Sequence, residues 1–177
     1  MSTVTSDIGL KENIVQAFEG TGGARLQNRR EAIAHFQRMG LPGNKSEEYR
    51  FTPIARALER NFDFTQTATA PKINSVDPFL IPDLDANVLV FINGIYAAGF
   101  SGVSSPESEI RISKLKDALE NGAALPYYER HLRTAVDPFS ALNAAFWQDG
   151  LFVQVPAKAR VEKPLLLLHV NDSTRGQ

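Results

Sequence analysis

A short stretch near the middle of this 177-residue chain constrains its fold most, because it predicts a β-hairpin from local sequence alone. Residues 88–92 are all apolar, Asn93-Gly94 follows, and the next three residues are again apolar or aromatic. Asn and Gly tolerate the positive φ angles of a type I′ turn, which matches the twist of paired strands. We expect both faces of this hairpin to be covered. The expected cross-strand pairs are Ile92 with Ile95 and Phe91 with Tyr96.

The N-terminal sixty residues have the periodicity of amphipathic helices. Apolar residues recur at helical spacing before Gly20 and before Gly40, and each glycine is expected to end its helix in the left-handed conformation. Thr52-Pro53 predicts the start of a short helix through Leu58, because proline suits the first helical position. The apolar positions are Ile14, Val15 and Phe18 in the first helix, and Leu26, Ile33, Phe36 and Met39 in the second.

The middle of the chain is less regular. Residues 61–85 are rich in Thr, Pro and Asp without a clear period, which indicates a loop or linker. Short helices are expected over residues 113–121, closed by Gly122, and over residues 126–135. Asp137-Pro138 repeats the pattern of a cap followed by proline, so a further helix should run from there towards Gly150.

After Gly150 the apolar residues follow the two-residue period of β-strands. Residues 151–155 and 165–170 predict two strands, the second containing four successive leucines that suit burial on both faces. Their short spacing is typical of successive faces of a β-solenoid. We expect a first rung whose following rungs lie beyond Gln177. Its outer edge should be unpaired, so that the isolated chain either self-associates through it or lets its C-terminal residues fold back over it.

Composition excludes several functional classes. The 19 Lys and Arg balance 20 Asp and Glu, so no net field attracts nucleic acid or an acidic membrane. Without cysteine the chain forms no disulfide, thiolate nucleophile, Cys-ligated zinc site or self-ligated Cys-type iron-sulfur cluster. The sequence shows neither a signal peptide nor an apolar run long enough to span a membrane, which predicts a cytoplasmic protein.

Candidate catalytic and metal-binding residues are few. His35, His131 and His169 lie on three separate predicted elements, with no spacing typical of a metal site. Residues 47–50 contain two acids, a phenol and a guanidinium, but adjacent acids in a helix point about 100° apart and simply complement its dipole. Arg50 is expected to pack or pair locally. We therefore predict no catalytic, cofactor-binding or metal-binding residue in this chain.

Two further features have ordinary structural interpretations. Gly20–Gly23 resembles a phosphate loop in composition, but no apolar strand precedes it and no Gly-Lys-Ser/Thr follows, so it predicts a turn. Trp147 lies between the last predicted helix and the first late strand, where core packing is expected.

Three segments, in order along the chain, carry a family resemblance. The first contains a helix, a Leu-Pro turn and an acidic-aromatic-Arg stretch; the second is the hairpin; the third joins the last helix to the late strands. The chain resembles the SufD family of the Suf iron-sulfur cluster assembly machinery, and the third segment is also partly shared with SufB. The matching residues are 30–36, 40–42, 45–52, 90–96, 139–146, 149–156 and 162–165.

The resemblance implies an α+β chain with a helical N-terminal domain and a β-hairpin, leading into the first strands of a truncated right-handed parallel β-helix. It also implies a scaffold in which a longer SufD-like protein pairs with a SufB-like subunit and binds a SufC-like ATPase. The complex would handle iron-sulfur clusters and use ATP through that ATPase, while this chain alone binds no cofactor. The expected regions are 1–60 helical, 61–85 linker, 86–148 hairpin with short helices, and 149–177 the start of the β-helix.

Two alternatives remain open from the sequence. One is a small enzyme of unknown reaction, in which folding brings Glu48, Arg50 and His131 together. The other is a binding module that uses the hydrophobic hairpin to pair with a partner strand. The absence of a catalytic constellation favours a scaffold that is not an enzyme, with neither nucleic acid nor membrane as partner.

Overall fold

The computed structural model describes residues 9–22, 25–43, 46–61 and 73–171. The chain divides into two compact units, each assembled from separate stretches of sequence. Of the described residues, the first unit contains those up to 61 together with His131–Trp147, and the second contains 73–130 and 148–171. The first unit contributes most of the helix and the second all of the strand, which confirms the α+β class.

The described residues form five α-helices and five strands. The helices are α1 Leu10–Glu19, α2 Leu26–Met39, α3 Ile54–Asn61, α4 Leu115–Glu120 and α5 Pro138–Phe146. The strands are β1 Asn87–Ile92, β2 Ile95–Tyr96, β3 Arg111–Lys114, β4 Leu151–Gln154 and β5 Leu165–Val170. Three short 3-10 turns lie at Glu47–Tyr49, Asp77–Phe79 and Ala98–Phe100.

The core of the first unit joins α1, α2 and α5. Ile14, Phe36 and Ala141 are fully buried in it, and Phe18 meets the ring of Phe146 edge-on at 5.8 Å. The helical periodicity of the N-terminal sequence therefore marks the buried faces correctly. The small residues Ala141, Ala144 and Ala145 let α5 pack closely, and this contribution is not evident from the larger apolar positions alone.

The helix ends follow the predictions in part. Gly40 ends α2 with the expected positive φ of 69°, although its ψ of −173° lies outside the left-handed helical region. The left-handed prediction for Gly20 is wrong, because its φ is −80°. Thr21 replaces the expected cap: its N–H and its hydroxyl both donate to the Phe18 carbonyl, at 2.9 and 2.8 Å. At α5, Asp137 accepts a 2.7 Å hydrogen bond from the Ser140 N–H, which confirms the predicted cap.

The second unit is organised around β1. Strand β2 pairs antiparallel with it on one side, and β5 pairs parallel with it on the other, in register from Asn87 with Leu165 to Ile92 with Val170. Asn93 and Gly94 have φ angles of 50° and 80°, so the predicted turn and its two cross-strand pairs are confirmed. The expectation that both hairpin faces are covered is wrong at Ile95, which is 45% exposed.

Two helix predictions for the middle of the chain need correction. Ser113 and Lys114 belong to β3, where they pair with β4, so the helix predicted over 113–121 begins only at Leu115. Residues 126–135 form turns rather than a helix, since Glu129 takes a positive φ of 55°, which interrupts any helical run. Gly122 does have the positive φ expected of a closing residue, at 84°.

The predicted linker is only partly visible. Residues 62–72 of it lie outside the described residues, and residue 61 ends α3. The described remainder, 73–85, contains one 3-10 turn and is otherwise irregular, which confirms the loop prediction there.

A buried asparagine holds three segments of the second unit together. Asn87 is fully buried, and its side-chain oxygen accepts hydrogen bonds from the N–H groups of Ser104 and Ser105, each at 3.0 Å. Its amide nitrogen donates to the Ser105 hydroxyl and to the Lys163 carbonyl. Because every polar atom of this side chain is satisfied, its burial stabilises the start of β1 beside the start of β5.

Candidate interaction surface

Within the described residues, the outer side of β5 is an edge of the three-stranded sheet. Within the part of the chain that the structure describes, β5 pairs with β1 and with no other strand, so its other side presents free backbone N–H and C=O groups. We call this side the β5 edge. Leu168 packs against the apolar cluster that contains Val90 and Ile92, whereas Leu167, on the opposite face, is 54% exposed. The predicted two-sided burial of the leucines is therefore wrong at Leu167.

An aromatic stack lies next to Leu167 on the same face of the sheet. The His169 ring lies parallel to that of Phe91, with centroids 4.9 Å apart and an angle of 9° between the planes. Phe91 also contacts Tyr96 across the hairpin, at 5.8 Å. His169 is thus held by cross-strand packing, and its ring lies over a neighbouring strand rather than beside a second ligand.

The other histidines lie elsewhere. His35 is half-buried on α2, and His131 is exposed in a turn. Across the described ranges, no group of three His, Asp or Glu side chains is arranged to hold a metal ion. The prediction that this chain has no metal site of its own stays a prediction.

The acidic-aromatic turn at residues 47–50 packs onto α5. Tyr49 contacts the ring of Phe139 at 5.6 Å, while the Arg50 guanidinium lies 5.5 Å from the ring centre of Phe51. Burial raises the pKa of Tyr49, and the carboxylates of Asp137 and Glu48 raise it further. Tyr49 is therefore a neutral phenol at physiological pH, and the local packing predicted for Arg50 is confirmed.

The structure gives no interaction that links the residues of the hypothetical enzyme. Glu48 is exposed in the 3-10 turn, Arg50 lies over Phe51, and no hydrogen bond or ion pair among the described residues joins either of them to His131.

A buried arginine of α2 links the glycine-rich turn before this helix to α5. Arg29 is buried, and its Nη1 donates to the Gly22 carbonyl at 2.6 Å while its Nε donates to the Ala145 carbonyl at 2.7 Å. The second bond satisfies an unpaired carbonyl in the last turn of α5, where a cation is also favoured by the helix dipole. Sequence reasoning missed this role, because an arginine in a helix is normally solvated.

Trp147, for which core packing was expected, is half-buried directly after α5. None of the helices within the described residues combines the length and apolar character needed to cross a bilayer.

Comparison with known proteins gives a consistent family. The model of the SufBD protein N-terminal region matches residues 18–167. The chain is 28% identical over 160 residues to an iron-sulfur cluster assembly SufBD family protein of Synechocystis, covering 88% of this chain and 35% of that protein. It is 24% identical over 161 residues to the iron-sulfur cluster assembly protein SufD of Escherichia coli, covering 90% and 35%.

A SufBD family protein of Staphylococcus saprophyticus is 23% identical over 205 aligned positions, covering 100% of this chain and 41% of that protein. The chain therefore spans roughly a third to two-fifths of the length of these curated relatives. The family resemblance expected from the three sequence segments is confirmed. This chain belongs to the SufBD family of iron-sulfur cluster assembly proteins, and it contains that family's N-terminal region.

Proposed function

We propose that this chain supplies the N-terminal part of a SufD-like scaffold subunit, which acts in iron-sulfur cluster assembly by binding SufB-like and SufC-like subunits rather than by catalysis. The observation that carries the proposal is the one-sided pairing of β5. Its six residues lie in parallel register with β1, and the β5 edge is open within the described residues.

The β5 edge is proposed as the start of a right-handed parallel β-helix. Each strand of such a helix pairs in parallel with strands of the neighbouring rungs, and the β1–β5 pair has this geometry. A further parallel strand on the β5 edge would satisfy its backbone groups and cover Leu167. The antiparallel β3–β4 pair lies in a separate sheet and is not part of this proposed stack.

Co-expression tests the proposal. The longest reading frame that contains this chain is produced together with a SufB-like and a SufC-like protein from the same organism, and the mixture is separated by size. We expect all three proteins in one peak, and less complex with Leu167→Lys. Val155→Lys is the matched control, because Val155 is 51% exposed but lies outside β5. Separate elution of the three unaltered proteins would contradict the proposal.

We further propose that this chain holds no iron-sulfur cluster by itself, because it has no cysteine and its three histidines are scattered. Anaerobic reconstitution with iron and sulfide, followed by absorption spectroscopy and iron analysis, tests this point. A stable cluster chromophore with stoichiometric iron would contradict it.

Strand addition is the second candidate function, and the exposure of Leu167 favours it at the β5 edge rather than at the hairpin. In β2 the Tyr96 N–H already donates to the Asp149 carboxylate at 2.9 Å. This backbone group is therefore not available for hydrogen bonding to a partner strand. Self-association of the isolated chain through the β5 edge is part of this candidate.

A further inference from the structure

The second unit contains an open groove of about 410 Å³ alongside β1. All of its lining residues fall between Asn74 and Gly102, and they come from the 3-10 turns at Asp77–Phe79 and Ala98–Phe100, from residues next to these turns, and from the start of β1. The apolar part of the lining is formed by Val76, Leu80, Ala86, Val88 and Phe100. A lining of this kind suits apolar side chains of a ligand.

Two glycines of the groove have no structural reason to be glycine within the described chain. A Cβ added at Gly99 or at Gly102 meets no atom within 4 Å, and neither residue has a positive φ. Gly102 exchanges two hydrogen bonds with Val88, at 2.7 and 2.9 Å, so its backbone is already fixed. Glycine at such a position leaves room for another backbone to approach closely.

The groove also lies in an acidic part of the sequence. Residues 73–110 contain five carboxylates and neither Lys nor Arg. Lys163 pairs with Asp85 at 2.8 Å, whereas no ion pair among the described residues engages Asp77 on the groove wall. The five acids are Asp77, Asp83, Asp85, Glu107 and Glu109. This charge favours a cationic ligand.

Exposed apolar residues lie next to lining residues along the chain. Phe79 and Ile81 stand on either side of the lining residue Leu80, and Val103 follows Gly102; all three are exposed. An apolar groove with a carboxylate in its lining matches a polypeptide segment in which basic and apolar residues alternate.

We propose that this groove binds a basic segment of a partner protein, with Lys or Arg side chains alternating with apolar ones. The apolar side chains enter the groove, a cation faces Asp77, and the partner backbone runs over Gly99 and Gly102. This site goes beyond the scaffold role, since it does not use the β5 edge, and either proposal can fail without the other.

Peptide binding to the purified chain provides the test. The probe is a short fluorescent peptide of alternating Lys and Leu, and the comparison peptides alternate Glu with Leu and Lys with Ser. We expect fluorescence anisotropy to show binding of the Lys-Leu peptide alone, and weaker binding at high salt because salt screens the charges. Equal binding of the Glu-Leu peptide would overturn the proposal.

Filling the groove should remove the binding. Gly99→Leu places a side chain in open space, and we expect it to weaken binding at least about tenfold, equivalent to roughly 1.4 kcal/mol. Gly43→Leu is the matched control, since its added Cβ also meets no atom within 4 Å and Gly43 lies in the first unit. Gly102→Val is a second blocking variant in case Gly99→Leu does not fold. Unchanged affinity in folded blocking variants would overturn the proposal.

The charge requirement is tested separately. Asp77→Asn should weaken binding about two- to fivefold at low salt, the range of a single exposed ion pair. Asp117→Asn, an exposed carboxylate on α4 outside the groove, should leave the affinity unchanged. Absence of binding by the unaltered chain at low salt would overturn the proposal.

Discussion

The two units of this chain satisfy their backbone hydrogen bonds in different ways. In the first unit, the helices bond within themselves, and Asp137 and Arg29 complete the two ends of α5. In the second unit, β5 has a partner on one side only within the described residues. A helical core can thus close on itself, while an open sheet ends on an edge. This difference is why partner binding is proposed for the second unit.

The largest expected effect comes from opening the closed core of the first unit. Phe36 is fully buried, so Phe36→Ala should lower the free energy of unfolding by about 3–5 kcal/mol through lost burial and a cavity. Phe51→Ala is the matched control in the same unit, because Phe51 is 90% exposed, and it should change stability by less than about 0.5 kcal/mol. Urea unfolding measures both, and similar losses in the two variants would contradict the position of the core.

In the second unit, we expect the largest loss of stability from substitution of the buried Asn87. Asn87→Ala removes the hydrogen bonds that link β1 to Ser104, Ser105 and Lys163, and we expect a loss of about 2–4 kcal/mol. Hydrogen exchange should then accelerate at the Ser104 and Ser105 amides. Asn121→Ala is the control, since exposed Asn121 accepts only one backbone bond; a loss as large as that of Asn87→Ala would contradict the argument.

A smaller, pH-dependent effect is expected at the start of α5. The Ser140 hydroxyl, followed by the N–H groups of Ser140 and Phe139, lowers the pKa of Asp137, and these hydrogen bonds outweigh burial. Because the folded pKa is depressed, the stabilisation is complete above the ordinary aspartate pKa and is lost as the pH falls through the folded value. Asp137→Ala should cost about 0.5–2 kcal/mol at neutral pH.

Urea unfolding at a series of pH values checks this expectation. The difference between the unaltered chain and Asp137→Ala should shrink as the pH falls below about 4. A difference that stays constant down to the lowest pH would show that the carboxylate charge does not contribute to the cap.

The smallest effect on stability is expected at the β5 edge. Leu167→Lys should change the free energy of unfolding by less than about 0.5 kcal/mol, because Leu167 is already half exposed. It should nevertheless reduce self-association of the isolated chain in sedimentation at several concentrations, since an edge lysine opposes strand pairing. Val155→Lys should leave self-association unchanged. A strictly monomeric unaltered chain would contradict self-association through the β5 edge.

The sequence correctly predicted the elements that are determined by a few adjacent residues. Asn93-Gly94 requires a particular turn and Asp137-Pro138 a particular helix start, and neither depends on distant residues. The wrong predictions concern residues whose secondary structure depends on a partner far along the sequence. Ser113 and Lys114 join a strand because β4 pairs with them, and this partner lies far along the sequence. Helix propensity is weak enough for such pairing to override it.

The candidate site was predicted only in outline. The leucine run indicated β5, but its parallel register with β1 depends on a long-range choice that the run itself does not encode. The exposure of Leu167 follows from that register. The groove was missed because Gly99, Gly102 and Asp77 form no motif, and only folding reveals the open space beside the two glycines.

Each unit is assembled from separate stretches of sequence, and this affects how the chain folds during synthesis on the ribosome. Helices α1 and α2 emerge early, but α5, which completes their core, follows only after most of the second unit has been made. Likewise β1 is translated well before β5. At about 5–20 residues per second, the interval between Asn87 and its partner Leu165 lasts about 4–16 s, during which one side of β1 has no native partner. The nascent chain therefore exposes apolar surface from both units at once, and it needs protection from aggregation during that interval.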